Sequence, residues 1–268
     1  MKKKKPVKKF SQELPTVDKD VNVSEAYKRL KGGKDTHLLV IDQKSEAPIG
    51  IISRKDILWN LWKEARDGQI PNLYVSSIVT RNLLTVNEDE DIHHAAEIMI
   101  EGNISSLPIE SGGELVGILT KKSLLQKITE FPDQEVRHLM TEEVISAPEG
   151  TRIVRAIETM KRKEISMLPV IEKRELKGFC DIHRLARQLI ELFINPPYLH
   201  IDSALQQIRL RDVMMGAFGF PPDASIYDFA EEIIRKRVKG GPILSSKKTT
   251  KVIGILSETD ICRFIAEL

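Results

Sequence analysis

Two rhythms of apolar residues alternate along this chain. Four segments carry them at i, i+3 and i+7: Val23/Ala26/Leu30, Ile92/Ala95/Met99, Ile153/Ala156/Met160 and Ile226/Phe229/Ile233. That spacing lines one helical face. After each comes a short unbroken apolar run, at 38–41, 107–109, 168–171 and 242–244, then a polar turn of variable length. A glycine opens a second run in every case: Gly50-Ile51-Ile52, Gly117-Ile118-Leu119, Gly178-Phe179-Cys180 and Gly254-Ile255-Leu256. Two apolar runs around a polar turn predict a hairpin whose turn tolerates insertion. A second helix follows at once, apolar at i, i+1 and i+4: Ile57/Leu58/Leu61, Leu124/Leu125/Ile128, Leu185/Ala186/Leu189 and Ile261/Cys262/Ile265. With a short strand before the first helix, the predicted order is β-α-β-β-α, four times over.

The copies are a true repeat. Residues 75–125 align without a gap on 136–186 at a constant shift of 61, with identities that include Val75/Val136, Thr80/Thr141, Ile92/Ile153, Met99/Met160 and Gly117/Gly178. Such internal periodicity fixes the architecture before any single residue does. The four copies are expected at 12–66, 75–130, 136–193 and 208–268, behind a basic tail, 1–11, expected to be disordered. A unit this small leaves one sheet face and two helix faces bare, so copies should pack in pairs. Linkers at 130–134 (EFPDQ) and 194–203 (INPPYLHIDS) mark the divisions, since Pro196 and Pro197 cannot continue a helix.

Composition narrows the function. Hydrophobic residues are 41% of the 268 but come in short groups, far from the roughly 20 in a row that a membrane span needs. A soluble protein without a membrane partner is expected. Cys180 and Cys262 are too few for a disulfide framework and fall in apolar runs, which suggests a reducing, cytoplasmic setting. The N-terminal MKKKKPVKK is followed by no apolar stretch, so it does not read as a secretory signal. Its six lysines against a net charge of +2 leave the rest of the chain acidic. That argues against a nucleic-acid-coating protein, while Lys2–Lys9 remain an electrostatic handle for RNA or DNA in an alternative scaffold reading. No Gly-x-x-x-x-Gly-Lys-Ser/Thr, Gly-x-Gly-x-x-Gly or Gly-x-Ser-x-Gly occurs, so no enzyme is expected. No metal site is expected either, because adjacent His93 and His94 diverge on a helix and read as a solvated surface. Trp59 and Trp62 exceed what one helix face needs, and read as core or as an anchor for a partner or a second copy of the chain.

The motifs VRHLMT at 136, ISSLP at 104, ISMLPV at 165, GIISRKD at 50 and GILSETD at 254 resemble the CBS (cystathionine β-synthase) domain. The resemblance covers all but the tail and linkers. It implies an α/β (α+β) fold of four CBS repeats paired into two Bateman modules forming a flat disc, similar to the gamma subunits of AMP-activated protein kinase and to stand-alone archaeal four-repeat proteins. It also implies a non-catalytic regulator that binds AMP, ADP or ATP, or S-adenosylmethionine, between paired repeats and passes a shape change to a regulated protein.

Candidate ligand residues follow from both lines of reasoning. Ser53/Asp56 and Ser257/Asp260 place a hydroxyl and a carboxylate on the first turn of a helix. This spacing has two readings. It is that of a capping box, which needs no ligand; it also offers a carboxylate to the two hydroxyls of a ribose, beside a helix N-terminus that favours phosphate. The resemblance implies that this Asp meets ribose. Copy two has Thr120-x-x-Ser123, which loses the acceptor, and copy three has Asp181-x-x-Arg184, whose arginine reads as a surface residue or as a cation for phosphates held by copy four. The family also brings the residues before the first hairpin strand to phosphate or base: Thr36 and His37, Ser105 and Ser106, Ser166 and Met167, Lys239 and Gly240. His37 and Lys239 are the cations among them, and each reads alternatively as an ordinary exposed residue. Thr16, Thr85 and Ser146, entering the first strand, are weaker carry-overs, and copy four has Phe220-Pro221 there.

Overall fold

The computed structural model describes residues 4–31, 36–66, 73–194, 201–246 and 251–268. Copy one runs β1 (Thr16–Asp18), α1 (Val23–Lys31), β2 (His37–Asp42), β3 (Ala47–Ser53), α2 (Arg54–Arg66). Copy two is entered by a short α3 (Val75–Ile78) and runs β4 (Val86–Asn87), α4 (Ile92–Glu101), β5 (Ser106–Ser111), β6 (Glu114–Thr120), α5 (Lys121–Gln126). Copy three has α6 (Ile153–Arg162), β7 (Met167–Glu172), β8 (Glu175–Asp181), α7 (Ile182–Ile194) and an added α8 (Ile201–Gln207). Copy four is entered by α9 (Leu210–Val213) and β9 (Met215–Gly216), then runs α10 (Ile226–Lys236), β10 (Gly240–Leu244), β11 (Val252–Ser257), α11 (Glu258–Glu267). Each hairpin is antiparallel, and the strand before the first helix lies parallel to the first hairpin strand, reduced in copies three and four to the bridges Ala147↔Val170 and Phe220↔Ile243. The predicted element order therefore stands in every copy. Within the linker 194–203, Pro196 and Pro197 lie outside the described residues, and the chain is helical again from Ile201.

Two compact units divide the chain. One holds Pro15–Asn82 and Ile145–Ala217, the bodies of copies one and three. There α2 packs on α7. Leu58 and Trp62 enter the core of copy three with Ile153, Met160 and Leu189, while Ile190 enters the core of copy one with Tyr27, Leu30 and Leu61. Trp59 is half-buried beside them, with the Lys161 ammonium 5.7 Å from its ring. The surplus apolar surface of α2 thus serves this internal packing.

The other unit holds Met1–Leu14, Leu83–Val144 and Phe218–Leu268, and its main helix contact is α4 with α11. His93, expected on a solvated surface, is instead half-buried, its Nδ1 2.7 Å from the Ile265 carbonyl and its ring edge-on to Phe131. His94 is the exposed one. Residues 4–11 also differ from the disordered tail expected of them. Val7–Phe10 form a 3-10 turn whose i and i+3 residues, Val7 and Phe10, are 0% and 2% exposed. Phe10 lies 5.7 Å from Phe131, with Lys5 over the same ring, and Lys8 pairs with Asp89 at 2.7 Å. Two apolar residues one 3-10 turn apart make a small face that a count of charges conceals. Two of the tail lysines are thereby committed to the fold; Lys2 and Lys3 lie outside the described residues.

Leader segments are exchanged between sequential copies. Gln12, in the leader of copy one, bridges to Ile118 of copy two, and Thr80, in the leader of copy two, bridges to Ile51 of copy one. Thr141 bridges in the same way to Ile255, and β9 pairs with β8. This exchange explains the four glycines. They do not open their strands but sit inside them, opposite Val40, Ile109, Val170 and Ile243 beside a register shift. A Cβ on Gly50 would stand 2.1 Å from the Thr80 oxygen, and one on Gly178 2.1 Å from the Met215 oxygen. On Gly117 it would meet Ser11 Oγ at 2.3 Å, and on Gly254 Met140 Sδ at 2.4 Å. The glycine is a requirement of the incoming leader, not of the turn.

The hairpin turns of copies two and three are both two residues long. Copy two fills the left-handed positions with Gly112 and Gly113, but copy three uses Lys173 at φ 51° and Arg174 at φ 69°. Non-glycine residues there cost about 1 kcal/mol each. Arg174→Gly is expected to stabilise the protein by about 1 kcal/mol in chemical denaturation.

Candidate functional site

The hairpin registers bring the two predicted clusters together. His37 stands opposite Ser53, Ser106 opposite Thr120, Met167 opposite Asp181, and Gly240 opposite Ser257. In copies two, three and four the carbonyl of the preceding residue, Ser105, Ser166 or Lys239, accepts from the first amide of the second helix. Thr16 opens β1 beside Leu39, at the same end of its sheet, and is exposed. Thr85 is drawn elsewhere, its hydroxyl 3.4 Å from Glu110.

In copy one the capping geometry is realised. Asp56 Oδ2 accepts from the Ser53 amide and from the Ser53 hydroxyl, both at 2.7 Å, and the Asp56 amide donates to Ser53 Oγ at 3.3 Å. Among the described residues no side chain donates to the other oxygen, Oδ1. Burial holds the Asp56 carboxyl above its usual range, outweighing the lowering effect of the Ser53 bonds. Thr36 Oγ1 and His37 Nδ1 lie 2.9 Å apart, and His37 is buried rather than an ordinary exposed cation.

Copy four has the same cap with a different environment. Asp260 Oδ2 accepts from the Ser257 amide at 2.8 Å and the Ser257 hydroxyl at 2.7 Å. Its Oδ1 also accepts, from Arg263 at 3.0 Å and from the Thr141 hydroxyl of the incoming leader at 3.4 Å. Lys239 is held by Glu258 at 2.7 Å, with both side chains largely shielded.

Copies two and three complete the comparison. Thr120 and Ser123 form a reciprocal cap at 2.9 and 3.0 Å, and the Thr120 hydroxyl donates to Gln12 Oε1 at 3.4 Å. Lys121 is buried, its Nζ 3.3 Å from Thr259 Oγ1. In copy three the buried Asp181 accepts from the Arg184 amide at 2.9 Å, and the Arg184 guanidinium bonds the Val213 carbonyl at 3.4 Å. That arginine therefore fastens the leader of copy four. Sequence reasoning missed Gln12, Thr141, Glu258 and Arg263; the identity of Thr80 and Thr141 was the available signal, since both stand at the leader bridge.

Burial pushes the Cys180 thiol up to about 12 and the Cys262 thiol to about 11, so neither is a nucleophile at neutral pH. Among the described residues no group of three or more His, Cys, Asp and Glu could hold a metal ion. Nor is any described helix long and apolar enough to cross a membrane.

Comparison with known proteins agrees with this architecture. The CBS domain matches at residues 7–63, 75–130, 136–191 and 210–267, and the chain belongs to the CBS-domain family. Protein MJ1225 of Methanocaldococcus jannaschii is 21% identical over 280 residues, 96% of each chain. Its crystal structure, described as that of a proposed archaeal homologue of g-AMPK, superimposes with a TM-score of 0.82 at 20% identity over 98% of this chain and 100% of that one. An uncharacterised conserved protein from Pyrococcus horikoshii gives a TM-score of 0.66 at 18% identity, over 97% and 100%. These likenesses show the fold. The homoserine O-acetyltransferase of Methanohalobium evestigatum is 35% identical over 126 residues, but these are 46% of this chain and only 25% of that enzyme.

Proposed function

We propose that the protein is a non-catalytic regulator that binds an adenine nucleotide, AMP, ADP or ATP, with its ribose on Asp56, and passes the resulting change to a protein partner. One observation carries the reading most: among the described residues no side chain donates to the second oxygen of the half-buried Asp56 carboxylate, and Ser53, which holds the first, stands opposite His37 in register. The cap occupies one oxygen and leaves the other for a diol, so capping and ligand binding coexist at this residue. Family membership supports the choice of ligand.

Nucleotide at 100 times its dissociation constant is expected to stabilise the protein by about 2.7 kcal/mol, read as a rise in unfolding temperature. No shift at millimolar AMP, ADP and ATP would count against the proposal. The pH dependence has a definite sign. The raised pKa means that Asp56 is protonated earlier than an exposed carboxyl as pH falls, and only the ionised form accepts from both hydroxyls. AMP affinity should be full above that raised pKa and decline below it. In the same window binding should release a proton, seen as a calorimetric enthalpy that changes with buffer, and Asp56→Asn should abolish both effects. For the ligand-free protein, stability associated with this carboxyl is present at low pH and lost as pH rises through its folded pKa.

A further inference from the structure

We infer that the two Ser-x-x-Asp sites are unequal: in copy one Asp56 keeps a carboxylate oxygen that no side chain holds, whereas in copy four Asp260 and Lys239 are held by neighbouring side chains and must be released before a nucleotide binds. This rests on the nucleotide reading above. Asp56 uses one carboxylate oxygen internally. Asp260 uses both, because Arg263 from one turn further along α11 and Thr141 from the leader of copy three occupy its outward oxygen. Asp260 is only 10% exposed in this grip, while Arg263 is 48% exposed and could swing away. The second predicted contact is committed too. Lys239, the cation that would meet phosphate, is neutralised by Glu258, whose position in the motif is taken in copy one by Arg54. A nucleotide entering copy four must therefore break an ion pair at each end of its ribose phosphate. Displacing the more exposed Arg263 pair and the Thr141 hydrogen bond alone corresponds to binding weaker by about tenfold, and the shielded Lys239–Glu258 pair adds to that. Because Thr141 belongs to an exchanged leader, opening this latch also frees a contact between copy four and the leader of copy three.

Isothermal titration of AMP into the full chain tests this. The expected trace has one tight event of unit stoichiometry and a second weaker by about tenfold or more. Asp56→Asn, which keeps an oxygen to accept from the Ser53 amide, should remove the tight event, and Asp260→Asn should leave it unchanged. Glu258→Gln combined with Arg263→Ala should strengthen the weak event by about tenfold. Two equal events, or a tight event lost in Asp260→Asn and retained in Asp56→Asn, would overturn the inference while leaving AMP binding intact. Absence of any heat together with no thermal shift would instead remove the nucleotide reading itself. Should Asp56→Asn fail to fold, crystals of the unaltered protein soaked at low AMP decide: density beside Asp56 supports the inference, and density beside Asp260 alone contradicts it.

Discussion

Gly178→Ala is expected to lower the stability of the protein by about 3 kcal/mol or more, a fall of roughly 10 °C in unfolding temperature. The added methyl would stand 2.1 Å from the Met215 carbonyl oxygen and 3.1 Å from Met214 Sδ. Backbone cannot yield there as a flexible side chain would, so β9 must lift from β8 and give up its pairing at Gly178 and Phe179. An internal control lies directly across the pair. A methyl on Gly216 meets nothing within 4 Å, so Gly216→Ala should change stability by no more than about 0.5 kcal/mol. Equal effects of the two substitutions, measured by urea unfolding, would mean that leader pairing does not explain the glycine.

Trp62→Ala should cost about 3–5 kcal/mol, the range for removing a buried tryptophan. The side chain is 3% exposed although it lies on a helix of copy one, because it fills the core of copy three beside Ile153, Met160 and Leu189. Its loss should therefore accelerate amide exchange in α6 and α7 as well as in α2. Trp59→Ala, at a half-buried position, should cost clearly less. A variant lacking Trp62 that retains full stability would show that the two cores do not share this residue.

The element order was legible because four copies repeat the same two periodicities, and a period of 61 residues is hard to produce by accident. Helix α8 was not, since Pro196 and Pro197 read as a linker and nothing before Leu205 signals a buried residue. Val7 and Phe10 were hidden by the lysines around them. The Ser-x-x-Asp motif was visible as a motif but ambiguous as chemistry: both readings use the same two side chains, and only geometry distinguishes Asp56, with one oxygen committed, from Asp260, with both. Of the two partners that make the difference, Arg263 stands three residues along the same helix, whereas Thr141 acts across the leader exchange. The second relation cannot be read from spacing along the chain.

The direct measurement is affinity for AMP against its 2′,3′-dideoxy analogue, in the wild-type chain and in Asp56→Asn. A carboxylate that accepts from the ribose hydroxyls makes charge-assisted bonds of about 1.5–3 kcal/mol, so the analogue should bind the wild type about tenfold to a hundredfold more weakly. Asp56→Asn should lose the tight event for AMP and with it the discrimination at that event, leaving only the weaker binding at copy four. Equal affinity of the wild type for AMP and for the dideoxy compound would contradict the account, because Asp56 would then be a helix cap and nothing more.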